Sequence, residues 1–124
     1  MQIAAVVLTL AFLECADFVA PFAPIVTNEV DNFAFQTVDL AGVTTIARYT
    51  WETTGNSATV MQSSAVSAGT ATVTVTDGEA TLVYTHALDG SGVTTTGSGT
   101  AGFWTITMSL SNVRGPLNFT LQKP

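Results

Sequence analysis

Residues 102–122, GFWTITMSLSNVRGPLNFTLQ, decide how this chain folds. Trp104, Ile106, Met108 and Leu110 alternate with Thr105, Thr107 and Ser109, and beyond Gly115-Pro116 the residues Leu117, Phe119 and Leu121 alternate with Asn118, Thr120 and Gln122. A period of two places all the large apolar side chains of a strand on one face. The stretch therefore predicts two strands joined by a tight turn. Together they present seven large apolar side chains that a second sheet must cover.

The same period recurs upstream. Ala71, Val73 and Val75 alternate with Thr70, Thr72, Thr74 and Thr76, and Asp77-Gly78 reads as a hairpin turn because Asp-Gly tolerates positive φ. The returning strand, Ala80 to Leu88, sets Leu82 and Tyr84 on one side. Asp89-Gly90-Ser91-Gly92 is the next turn, and a short polar strand, Val93 to Thr96, leads through Gly97 to Gly102 into the opening stretch. Nearer the N-terminus, Val30 to Val38 carries Phe33 and Phe35 inward, and Asp39 to Gly42 break it. Val43 to Thr53 puts Ala47, Tyr49 and Trp51 on one face and Ile46, Arg48 and Thr50 on the other. After a turn at Thr54-Gly55-Asn56, Ala58, Val60 and Gln62 continue the pattern more weakly.

Short strands at intervals of roughly ten residues, separated by turn signals, predict an all-β fold: an antiparallel two-sheet β-sandwich, jelly-roll or Ig-like, of seven to eight strands spanning residues 30–124. Trp51, Trp104, Tyr49, Phe33, Phe35 and Phe119 are the expected large core pieces. At 124 residues the chain is one domain, long enough for a real core.

Hydrophobic residues make up 47% of the chain and charged ones only 10%, so polarity comes from Thr, Ser, Asn and Gly, as in many extracellular β-proteins. Three basic residues, Arg48, Arg114 and Lys123, stand against nine acidic ones, for a net charge of −6. That balance disfavours nucleic acid and anionic membrane surfaces as partners, since both need clustered Lys and Arg. The expected partner is a protein, a surface glycan or another copy of the chain. A single cysteine, Cys15, allows no internal disulfide and no cysteine zinc site, and a single histidine, His86, argues against a conventional metal cluster.

Ile3 to Leu13 is an apolar run relieved only by Thr9, too short to span a bilayer as a helix but of the length of a secretory signal core. Residues 1–15 are expected to be a leader or anchor, and residues 16–29, with Pro21 and Pro24, a tether. An apolar run followed by Cys15 resembles a bacterial lipoprotein leader, which implies a lipid anchor on Cys15 and contact with membrane only through that anchor. The alternatives are ordinary secretion with cleavage nearby, or a retained segment that adds a strand to a neighbouring subunit's sheet. The expected location is extracellular or on the outer cell surface.

Gly69 to Gln122, with its GTATVTVTDG strand-turn and its GFWTI strand before the last two strands, resembles the bacterial pre-peptidase C-terminal domain and, more distantly, the convertase P-type domain. Small bacterial surface lipoproteins of unknown role are similar too. The resemblance covers somewhat under half of the chain and implies a jelly-roll sandwich. In secreted peptidases such domains accompany an enzyme, and no peptidase is present here.

Candidate chemistry is sparse. His86 lies near Asp89 and Ser91, yet no G-x-S-x-G elbow accompanies it, so it reads as a surface or cross-strand histidine. Asp77 with Glu79, and Asp89 with Ser91, offer oxygens to a calcium ion at a sandwich edge, and both are also ordinary turn formers. Alternation turns Phe103 away from the Trp104 face, where it could stack on a sugar. Asp31 and Asp39 read as solvated strand ends. The chain is expected to be a non-enzymatic secreted or surface β-sandwich module acting by binding or structure. A self-assembling subunit and a calcium- or carbohydrate-binding accessory domain are the alternatives.

Overall fold

The computed structural model describes residues 22–124, so Cys15, the leader and the first six residues of the tether lie outside the described residues. Nine strands follow one another: β1 (Ile25–Glu29), β2 (Asn32–Gln36), β3 (Leu40–Thr53), β4 (Thr59–Ser64), β5 (Ala68–Thr76), β6 (Leu82–Ala87), β7 (Gly90–Thr95), β8 (Gly102–Gly115) and β9 (Asn118–Gln122). They form two antiparallel sheets, one ordered β3-β8-β5-β6 and the other β1-β2-β9-β4-β7. The all-β sandwich expected from the strand pattern is what forms.

The strand order has a simple origin. β5 pairs with β6, β4 with β7, β3 with β8 and β2 with β9, so residues 32–122 fold as one long antiparallel hairpin with its tip at Asp77–Thr81. Alternate pairs lie in alternate sheets, and β8–β5 and β9–β4 pairing closes each sheet across the roll. Eight strands arranged as two Greek keys in this way are a jelly roll, not an Ig-like sandwich. β1 is an added edge on β2, running from Ile25 opposite Gln36 to Glu29 opposite Asn32. The expected tether thus ends before residue 25, and its last five residues are sheet.

Residues 102–122 keep their period but not the expected hairpin. β8 and β9 lie in different sheets and face each other across the core, Trp104, Ile106, Met108 and Leu110 on one side and Phe119 and Leu121 on the other, all at most 3% exposed. Two features turn the corner. A bulge, with Asn112 at φ 50°, moves the inward positions from even to odd numbers, so that Leu110 and Val113 are both buried. Gly115 then adopts φ 113°, with the position of a Cβ occupied by the Ala65 carbonyl, and Pro116 leaves no N–H for a ladder to use.

Smaller differences share that kind of cause. Leu40, expected in a break, opens β3 and is buried, with Gly42 at φ 82° taking up the matching irregularity opposite the β8 bulge. Leu82 is 56% exposed and Val83 buried instead, because the β5–β6 register slips at that point.

The six expected core aromatics do pack together. Trp51 and Trp104 meet edge to face with centroids 5.8 Å apart, and Tyr49 lies 5.5 Å from Phe33 and 6.0 Å from Phe35. Both indole N–H groups donate to backbone carbonyls, Trp51 to Glu29 O at the end of β1 at 2.9 Å and Trp104 to Thr100 O at 2.8 Å.

A cleft between the open edges of the sandwich

The two sides of the sandwich close differently. On the β1–β3 side the sheets are stitched: Asn28 Nδ2 donates to Thr50 O at 2.9 Å and Asp31 N to Glu52 O at 3.0 Å. On the opposite side, β6 and β7 are free edges of the two sheets. There a single backbone stitch closes one end, Gly97 N to Val83 O at 2.8 Å, and the short β6–β7 connection closes the other. Between them a cleft of about 350 Å³ opens, within the range of small-ligand pockets.

Register defines its walls. Tyr84 and His86 stand opposite Val75 and Val73, which are fully buried, so both rings project from the inner face of β6. They are nearly parallel, 19° apart, with centroids separated by 6.2 Å. On the facing sheet Gln62 pairs with Gly92 and Val60 with Thr94, and Val60 is buried, so this row also points inward. A Cβ at Gly92 would meet nothing within 4 Å, and the same holds at Gly90. The missing side chains of β7 leave the cleft empty where another strand would fill it.

Polar groups in the cleft are mainly acceptors. Gln62 Nε2 donates to Asp89 O at 3.2 Å, which orients the amide and turns Oε1 the other way. That oxygen is the only buried side-chain polar atom without a hydrogen-bond partner among the described residues. Asp89 Oδ1 accepts from Val66 N at a long 3.3 Å. His86 Nδ1 lies 2.9 Å from Ala87 O; a carbonyl only accepts, so Nδ1 carries the proton and Nε2 of the neutral ring is an acceptor. Burial pushes the Tyr84 hydroxyl above its ordinary value.

The residues expected to hold calcium are not brought together. Asp77 and Glu79 sit in the β5–β6 loop, and Asp89 follows the far end of β6, about 20 Å away at the rise of an extended strand. The Asp77 carboxylate is also fully engaged. Oδ1 accepts from Glu79 N at 3.0 Å and Thr81 N at 2.8 Å, and Oδ2 accepts from Thr100 N at 2.8 Å. These backbone donors, Thr81 foremost, hold its carboxyl below the usual aspartate range. No group of three or more His, Cys, Asp or Glu side chains placed to hold a metal occurs among the described residues. Asp77 is a loop organiser, and the tight Asp-Gly hairpin gives way to a five-residue loop, Asp77–Thr81, wound around it.

Phe103 is 62% exposed and faces outward beside Glu52, on the sheet surface away from the cleft. Asp31, expected to be solvated, accepts from Thr53 Oγ1 at 2.9 Å and from Thr54 N and Oγ1 at 2.7 Å each. Thr54's backbone N–H is the main cause of its lowered pKa. His86, Asp89 and Ser91, noticed in the sequence as neighbours, do lie at the cleft. Gln62, Tyr84 and Gly92 were missed as site residues. Their one sequence signal was two glycines inside what proves to be a strand, Gly90 and Gly92, where a packed strand needs side chains.

No protein-family model, curated protein or solved structure matches the chain. The likeness to pre-peptidase C-terminal domains rests on the residues quoted for it alone.

Proposed function

We propose that this protein is a non-enzymatic β-sandwich binding module of the cell exterior, and that its ligand seats in the cleft between β4, β6 and β7. The observation that carries this reading is Gln62 Oε1, a buried acceptor that the fold orients and leaves without a donor. Leaving such a group unmade costs stability, so a donor from outside the chain is the natural complement. The glycines opposite keep the space for it.

The surroundings of His86 support a binding role over a catalytic one. Its Nδ1 is tied to a backbone carbonyl, whereas a general base of the triad kind is oriented by a carboxylate. Low charge and a threonine-rich outer surface fit the exterior location, and Cys15, outside the described residues, is the proposed anchor.

The test is an NMR screen of the isotope-labelled protein against a library of small polar compounds that includes saccharides, amines and carboxylates. Expected are compounds whose shift changes cluster at Gln62, Tyr84, His86 and Gly92 and disappear in Gly92→Leu. That variant fills the cleft from a position where a side chain meets no obstruction and φ is not positive. A library in which nothing maps to the cleft would sink the reading.

A further inference from the structure

From the polarity of the cleft we infer its ligand class: a primary ammonium carried on an apolar stem, of the kind a lysine side chain presents. The inference rests on the cleft being the binding site.

Three residues that carry acceptors line the cleft from three segments: Gln62 from β4, His86 from the inner face of β6, and Asp89 from the β6–β7 connection. Of the donors on those side chains, His86 Nδ1 and one of the two N–H groups of Gln62 Nε2 are spent on the carbonyls of Ala87 and Asp89. The chain's three basic residues, Arg48, Arg114 and Lys123, all lie outside the cleft lining. A lining that offers acceptors, a carboxylate and no cation selects a ligand that is all donor. An ammonium group has three N–H donors and no acceptor.

The apolar surface selects the rest of the molecule. Val60 and the Tyr84 ring form the inner part of the cleft, next to the core through Phe119, 6.4 Å from Tyr84. An aliphatic stem buries its methylenes there while its charged head meets the acceptors, and an aromatic face near a cation adds attraction. A neutral sugar would use the same acceptors through its hydroxyls. Its own oxygens need donors, however, and the side chains of the lining supply only one Gln62 Nε2 N–H and the hydroxyls of Tyr84, Ser91 and Thr94. The net charge of −6 draws cations toward the molecule and repels anions.

Two probes test the inference on the full chain at pH 8: N-acetyl-lysine methylamide, for a lysine of a partner protein, and 1,5-diaminopentane, for a free amine. Methyl glucoside is the neutral comparison. Saturable shift changes at Gln62, Tyr84 and His86 with either amine, absent with the glucoside, uphold the inference. Binding by the blocked lysine assigns a protein side chain as the source, and binding by the diamine alone assigns a small molecule. Asp89→Asn, which keeps an oxygen for Val66 N, is expected to weaken amine binding roughly tenfold. Salt near 1 M, where the Debye length is about 3 Å, should weaken it further. Binding of the glucoside without the amines would overturn the ammonium assignment while leaving the cleft a binding site. Silence with all three probes would overturn the assignment too, and the library screen then decides the fate of the site itself.

Discussion

At the scale of single residues, polar side chains in this fold are used in two opposite ways. Asp77 is saturated: three backbone N–H groups converge on its carboxylate. A carboxyl held below its unfolded value of 3.8 contributes stability that is fully present above that value and is lost as pH falls through the lowered folded value. Asp31 behaves in the same way. Asp77→Asn should therefore lower Tm at pH 7, because an amide N–H₂ would replace the acceptor facing Thr100 N. The gap to the parent protein should narrow as pH falls below 3.8 and through the lowered folded value, where the parent loses its charge as well. A gap independent of pH in thermal melts would mean that the carboxylate charge is not what organises the loop. Gln62 is the reverse case, an acceptor left unsatisfied. Gln62→Met keeps the length of the side chain, removes the orphan oxygen together with one exposed hydrogen bond, and should cost no more than about 1 kcal/mol in chemical denaturation. If it costs several times that, Gln62 is serving the fold rather than a ligand.

At the scale of elements, the corners decide the topology. Gly115 works where no other residue fits, since φ is 113° and a Cβ would strike the Ala65 carbonyl. Gly115→Ala should lose several kcal/mol or fail to fold, as an incompatible backbone position and a backbone clash act together. Gly92→Ala, in open space on an edge strand, should leave the denaturation midpoint nearly unchanged. Equal effects in the two variants would contradict the corner as described. This is also where the sequence was least legible. The alternation of residues 102–122 told which side chains are buried, but Gly115-Pro116 reads equally well as a hairpin turn or as a crossing between sheets, because both use the same residue types. The bulge at Asn112 was visible only as a change of parity, from Leu110 to Val113.

At the scale of the whole molecule, β1 adds both an edge and a lid. Phe22 packs 6.2 Å from Phe35, Val26 is partly buried against the core, and Glu29 O takes the Trp51 indole N–H. A chain beginning at residue 30, the boundary expected from the sequence, should be less stable than one beginning at residue 22 by about 2 to 3 kcal/mol in urea unfolding, from lost apolar burial alone. Equal stability would show that β1 is an ornament on the sheet. The comparison also separates two effects of truncation: any loss of self-association on removing residues 1–29 is attributable to the apolar segment only if the chain starting at 22 loses it too.

What the sequence determined by itself is the content of the fold: strands, their inward faces and the six aromatic core pieces. Each follows from local periodicity or from composition, which need no knowledge of what a segment packs against. What only the tertiary structure decided is partnership. β8 faces β9 instead of pairing with it, Ile25–Glu29 becomes an edge strand, Asp77 and Asp89 end up at opposite ends of β6, and Gln62, Tyr84, His86 and Asp89 converge on one cleft. Convergence of that kind joins residues up to 27 positions apart, and its signal lies in register across strands and in the side chains that glycine omits, neither of which a period of two can report.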